Sequence, residues 1–129
     1  MAAKRILLVE DDRVVRFMLT HVLFDESYIV DGAASVSDAL SQFARERYDL
    51  VIADWRLPDG SGLAIVDLAA GFGAKTIVIS GYLFRLTFEA HEKHKFLMKP
   101  VRPSKLVKAV RRAIDDGRGA ARRGRPAEA

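Results

Sequence analysis

The sequence predicts an α/β domain: a five-stranded parallel sheet with helices on both faces. Two observations carry that expectation. Short apolar, β-branched runs alternate strictly with segments of helical periodicity, and such alternation is satisfied by parallel strands joined through crossover helices. The chain also has 129 residues, half of them hydrophobic. That suffices for one domain with a real core and is too short for two ordinary ones.

The strand runs are Arg5 to Val9, Tyr28 to Val30, Leu50 to Ala53, Thr76 to Ile79 and Phe96 to Met98, each of a length suited to a buried strand. The first helix is read from Val15, Met18, Leu19, Val22 and Leu23, which share one face, with Asp12 able to cap it. Val36, Ala39, Leu40, Phe43 and Ala44 mark the second, opened by Ser35 with Asp38 three residues on. Leu63, Val66 and Ala70 support a third that Gly71 can end, and Pro103 opens a last one through Leu106, Val107, Val110 and Ile114. Trp55 is read as packing, and Pro58 to Gly60 as a turn into the third helix. His21 is placed on the flank of the first helix, and His91 and His94 on a solvated helix face.

Composition excludes several classes. Without cysteine there is no disulfide framework, thiolate metal site or Cys nucleophile. The N-terminus lacks the apolar run of a signal peptide and no stretch is long and apolar enough to span a bilayer, so a cytoplasmic protein with no membrane association is expected. Of the net charge of +4, residues 117–129 supply +3 through Arg118, Arg122, Arg123 and Arg125 against Glu128. These residues are read as a basic, disordered tail, and nucleic-acid binding is not expected.

The strand ends carry the chemistry. Glu10, Asp11 and Asp12 follow the first run, Asp54 ends the third, Ser80 the fourth and Lys99 the fifth. In open parallel sheets, ligands bind beyond the carboxyl ends of the strands. Several carboxylates in one crevice repel each other unless a cation intervenes, and hard oxygen ligands suit Mg²⁺. A lysine ammonium and a serine hydroxyl opposite them complement phosphate oxygens.

In order and spacing, "VEDD", "DWRLPDGSGL", "ISG" and "FLMKP" resemble the receiver domain of bacterial two-component response regulators. The similarity spans residues 4–116. It implies a flavodoxin-like strand order 2-1-3-4-5 and a phosphoryl group accepted on Asp54 from a histidine kinase or phosphotransfer protein. It further implies Mg²⁺ held by Asp12 directly, by Asp11 through water, by Asp54 and by the backbone carbonyl of Arg56. Ser80 is then the switch hydroxyl, Lys99 the cation paired to the phosphoryl group, Phe96 the aromatic that moves with the switch, and Lys99–Pro100 a cis peptide. The expected activity is confined to phosphorylation and dephosphorylation of Asp54 itself, with no turnover of outside substrates.

The chain departs from the family pattern between Ser80 and Lys99, where the interval is short and lacks the usual acidic start and the glycine before the fifth strand. A short or irregular fourth helix is expected there. Tyr82, Leu83, Phe84, Leu86 and Phe88 cannot share one buried stripe, so some should form a surface for a downstream protein partner or a homodimer. No helix-turn-helix pattern follows residue 116, which predicts a stand-alone receiver; the alternative is a receiver module of a longer hybrid kinase or regulator. An aspartyl-phosphate phosphatase is disfavoured, since Arg56 stands where a general acid is needed.

Overall fold

The computed structural model describes residues 3–81 and 92–124, with side chains as far as Asp115. In chain order the elements are β1 (Arg5–Val9), α1 (Arg13–Asp25), β2 (Ile29–Ala33), α2 (Val36–Arg45), β3 (Leu50–Asp54), β4 (Arg56–Leu57), β5 (Gly60–Ser61), α3 (Gly62–Gly71), β6 (Lys75–Ser80), β7 (Lys95–Met98) and α4 (Pro103–Gly124). The long strands form one parallel sheet in the order β2-β1-β3-β6-β7. This is the predicted order, with the expected short fourth helix falling on residues 82–91, outside the described residues.

Side-chain alternation divides the core between the two sheet faces. Leu7, Val9, Val51, Ala53 and Val78 pack with Ala39 of α2 and Ile65, Val66 and Ala69 of α3. Ile6, Leu8, Leu50, Ile52, Ile77 and Ile79 pack with Leu19 and Leu23 of α1 and Leu106, Val110 and Ile114 of α4. Strands buried on both faces explain the continuous apolar runs in the sequence.

Local chemistry sets the helix starts. Asp12 Oδ1 accepts from the backbone N–H groups of Val14 and Val15, Ser35 Oγ from Asp38, and Ser61 Oγ from Leu63. The Pro58-Asp59 turn does more than lead into a helix: it closes the β4–β5 pair, and Asp59 accepts from Val36 and Ser37 at the start of α2. Those two bonds hold the Asp59 carboxyl below its ordinary pKa.

Four sequence expectations are corrected. Met18 and Leu40 face outward, because α1 and α2 bury narrower stripes than the apolar periodicity suggested. His94 is buried, not on a solvated helix face: it lies next to β7, with Nδ1 2.6 Å from Thr76 Oγ1 and Nε2 2.7 Å from Asp67 Oδ1. Helix α4 continues past residue 116 to Gly124. An established helix elongates without a new nucleation cost, and the Ala and Arg residues of this stretch are good helix formers.

Candidate functional site

The C-terminal ends of β1, β3, β6 and β7 lie side by side. Register between β1 and β3 pairs Ile6 with Leu50 and continues to Val9 with Ala53, so the next residues, Glu10 and Asp54, are neighbours of the same parity. Glu10 stays in the ladder, its N–H donating to Ala33 O. Its side chain turns inward, and Oε2 accepts from the Asp12 N–H at 2.9 Å. Glu10 and Asp54 are both buried while Asp11 is exposed, and one carboxylate oxygen from each lies within 4.8 Å of the others.

Lys99 closes the crevice from the end of β7. Its Nζ stands 2.7 Å from Asp54 Oδ2 and 3.7 Å from Glu10 Oε1. Backbone bonds fix the frame: Lys99 N–H donates to Ser80 O, and Trp55 N–H to Ile79 O. The Lys99–Pro100 peptide is cis, as the motif implies. Ser80 is buried at the end of β6 beside Met98 in register, while Val78 pairs with Phe96. Ser80 and Phe96 therefore have the same parity on adjacent strands, and the Phe96 ring packs against the α2–α3 side of the core.

Electrostatic balance in this crevice is incomplete. Burial pushes the Glu10 carboxyl up to about 7, aided by the charge of Asp54 and opposed by the Asp12 N–H and Lys99. Burial also raises Asp54, against the hydrogen bond and charge of Lys99. For Lys99, partial burial favours the neutral amine, but Asp54 and Glu10 outweigh it and hold the ammonium above its ordinary value. Glu10 Oε1 is the one buried side-chain polar atom without a hydrogen-bond partner among the described residues. One unsatisfied buried oxygen, among three carboxylates that share a single ammonium, suits a further cation.

Of the predicted site residues, the structure brings together Asp11, Asp54 and Lys99, with Ser80 at the adjoining strand end. It leaves Asp12 out of the carboxylate cluster, with Oδ1 engaged in capping α1. Glu10 takes that place. The signal was available in strand parity, because Glu10, two residues after Leu8, falls on the same face as Asp54, two after Ile52. Arg56 is exposed at the start of β4, with its guanidinium 6.0 Å from the Trp55 ring centre. Tyr82, Leu83, Phe84, Leu86 and Phe88 lie outside the described residues.

A doubly wound sheet with an acidic crevice and a lysine at its carboxyl edge defines a class of α/β proteins whose ligand site lies beyond the strand ends. Comparison with known proteins narrows the class. Residues 6–111 match the model of the response regulator receiver domain. The chain is 32% identical over 123 residues to the phosphate regulon transcriptional regulatory protein PhoB of Klebsiella pneumoniae, a match covering 87% of this chain and 53% of that protein. It thus spans about half the length of that relative. The CheY-like receiver domain protein of Methanospirillum hungatei superposes with a TM-score of 0.82 at 28% identity, covering 92% of this chain and 98% of that one. The response regulator protein TrrA of Thermotoga maritima, solved in complex with Mg(2+)-BeF, superposes with a TM-score of 0.76 at 29% identity, covering 85% and 98%. This chain belongs to the response regulator receiver domain family. Among the described residues, no helix is long and apolar enough to cross a membrane.

Proposed function

We propose that the chain accepts a phosphoryl group on Asp54 from a histidine kinase or phosphotransfer protein and thereby switches a protein–protein interaction. One observation carries the reading: a buried aspartate held 2.7 Å from a lysine ammonium, inside a carboxylate cluster with an orphaned oxygen. An Asp54 oxygen forms the new bond to phosphorus while the donor's bond to phosphorus breaks. Lys99, already against Asp54 Oδ2, offsets the negative charge that gathers as phosphoryl oxygens approach.

The donor set fits Mg²⁺, which favours carboxylate and carbonyl oxygens. Glu10, Asp11, Asp54 and the backbone carbonyl of Arg56 would hold it; TrrA was solved with this ion. Mg²⁺ bound there supplies positive charge to the oxygens of the transferring group. The Asp12 carboxylate stays with the helix cap.

Signalling follows from the paired strand ends. A phosphoryl group on Asp54 adds nearly two charges and several acceptors at one edge of the sheet. The phosphoryl oxygens offer the Ser80 hydroxyl a new acceptor in that state, and its movement toward them changes the space available to the Phe96 ring on the neighbouring strand. We read the activity as confined to phosphorylation and dephosphorylation of Asp54 itself. A beryllofluoride titration followed by Trp55 fluorescence tests the reading. Saturable binding that requires Mg²⁺ and disappears in Asp54→Asn supports it, and equal binding in both proteins refutes it.

A further inference from the structure

Five bases border one groove between β7 and α4. Lys95 of β7, Arg102 just before α4, and Lys105, Lys108 and Arg112 of α4 are all exposed, and no acid lines the groove with them. None of the five takes part in an ion pair among the described residues. The acids adjoining in the chain are Glu92, Asp115 and Asp116. Counting all three against the five bases still leaves two positive charges in excess. Lys105, Lys108 and Arg112 follow a 3-4 spacing that sets like charges side by side, and α4 opens with no acid in its first turn. Both arrangements cost helix stability, because like charges at these spacings repel and the helix dipole disfavours bases at its start. A docked anion relieves both.

The floor of the groove says what kind of anion. Between the bases lie Leu97 of β7 and Ala109 and Ala113 of α4, all half-buried, in a recess of about 460 Å³. A sugar–phosphate backbone would leave that apolar floor unused, and no aromatic ring lines it to stack a base. Strand β7 is also the last strand of the sheet, bonded to β6 alone among the described strands. An edge strand of this kind accepts an added strand.

We propose that the groove between β7 and α4 docks an acidic, extended segment of a partner protein. Its apolar side chains sit on Leu97, Ala109 and Ala113, and its carboxylates meet the flanking bases. A second copy of the chain packed here about a two-fold axis is disfavoured, since an isologous contact sets these bases against their own like. The contact is smaller than a standard interface, so binding is weak and falls with salt. The inference rests on the charge and shape of the groove and does not depend on phosphorylation at Asp54.

Fluorescence anisotropy tests it with a labelled peptide of alternating glutamate and leucine, about ten residues long to match a long strand. The peptide is titrated into the chain alone and into the chain with Mg²⁺ and beryllofluoride, and circular dichroism confirms that each variant is folded. A Kd on the order of 10 µM is expected in at least one of the two conditions. Lys105→Glu and Lys108→Glu should each weaken binding roughly tenfold. Arg47→Glu, which reverses an exposed base between α2 and β3, should leave it unchanged. No binding up to about 1 mM in either condition, or an equal loss in Arg47→Glu, overturns the proposal. An all-glutamate peptide that binds as tightly as the alternating one, or a random DNA duplex that binds more tightly, also overturns it and assigns the groove to polyanions at large. The Asp54 reading fails by a separate result, the absence of beryllofluoride binding itself.

Discussion

Substituting alanine for glycine at the two ends of α3 should have opposite effects. At Gly62 an added Cβ would stand 1.9 Å from the Asp54 carbonyl oxygen and 3.1 Å from Ala53 Cβ. An ordinary carbon–oxygen contact is about 3.3 Å, so either α3 or the end of β3 must retreat by more than an ångström. The obstacle is backbone, and the Gly62 N–H is itself bonded to Trp55 O, so relaxation is not local. The cost should reach at least about 3 kcal/mol, the upper end for overpacking, lowering Tm by roughly 10 °C. Displacement of Asp54 by about 1 Å should also slow its phosphorylation on the order of a hundredfold. At Gly71, at the other end of the same helix, a Cβ meets nothing within 4 Å. Gly71→Ala should therefore stabilise by about 0.5–1 kcal/mol through helix propensity alone. Urea denaturation of both variants, with beryllofluoride binding as the site readout, checks the pair. A Gly62→Ala protein as stable as Gly71→Ala, with unchanged beryllofluoride affinity, would refute the close approach of α3 to the Asp54 backbone.

Other outcomes follow from the crevice and the core. Because the metal-free fold raises Glu10 from 4.5 to about 7, the native state binds the extra proton and stability should fall as pH rises through that window, by at most about 3 kcal/mol. Urea melts from pH 5 to 8 should show this decline, and both Mg²⁺ and Glu10→Gln should flatten it; a profile that rises with pH would contradict the assignment. Lys99→Met removes the cation 2.7 Å from Asp54 Oδ2, so Mg²⁺ should bind roughly tenfold tighter while phosphorylation slows, and weaker Mg²⁺ binding by calorimetry would contradict this. His94→Ala deletes the bridge from Thr76 to Asp67 and should cost roughly 2–4 kcal/mol by leaving a buried hydroxyl unpaired beside a cavity. Thermal melts that match wild type would show the bridge to be idle.

The fold was legible because its central strands are buried on both faces and its helices carry start signals that the sequence spells out: the caps Asp12 and Ser35 and the first-turn Pro103. Asp54, Lys99 and Asp11 were legible for a related reason, since polar residues directly after apolar runs mark strand ends. Reading the run of three acids by position in the motif put Asp12 in the carboxylate cluster, where the structure has Glu10. Strand parity separates them: Glu10 continues the alternation of Ile6 and Leu8, whereas Asp12 has left the strand and serves the helix. His94 was misread for a different reason. Its partners, Asp67 and Thr76, are distant in sequence, and a buried histidine with both ring nitrogens engaged has no local signature. Nor could the outward-facing Met18 of α1 be told from the buried Leu19 and Leu23, because periodicity reports that faces exist and not which of them meets the sheet.

Where a phosphoryl group goes decides the role of Asp54 most directly. Wild type and Asp54→Asn, each incubated with acetyl phosphate with and without Mg²⁺, can be compared by intact mass. Wild type should gain the mass of one phosphoryl group only when Mg²⁺ is present, and Asp54→Asn should gain none. A variant that gains the same mass as wild type, or a wild type that gains it equally well without the metal, would contradict the assignment of Asp54 and its carboxylate neighbours.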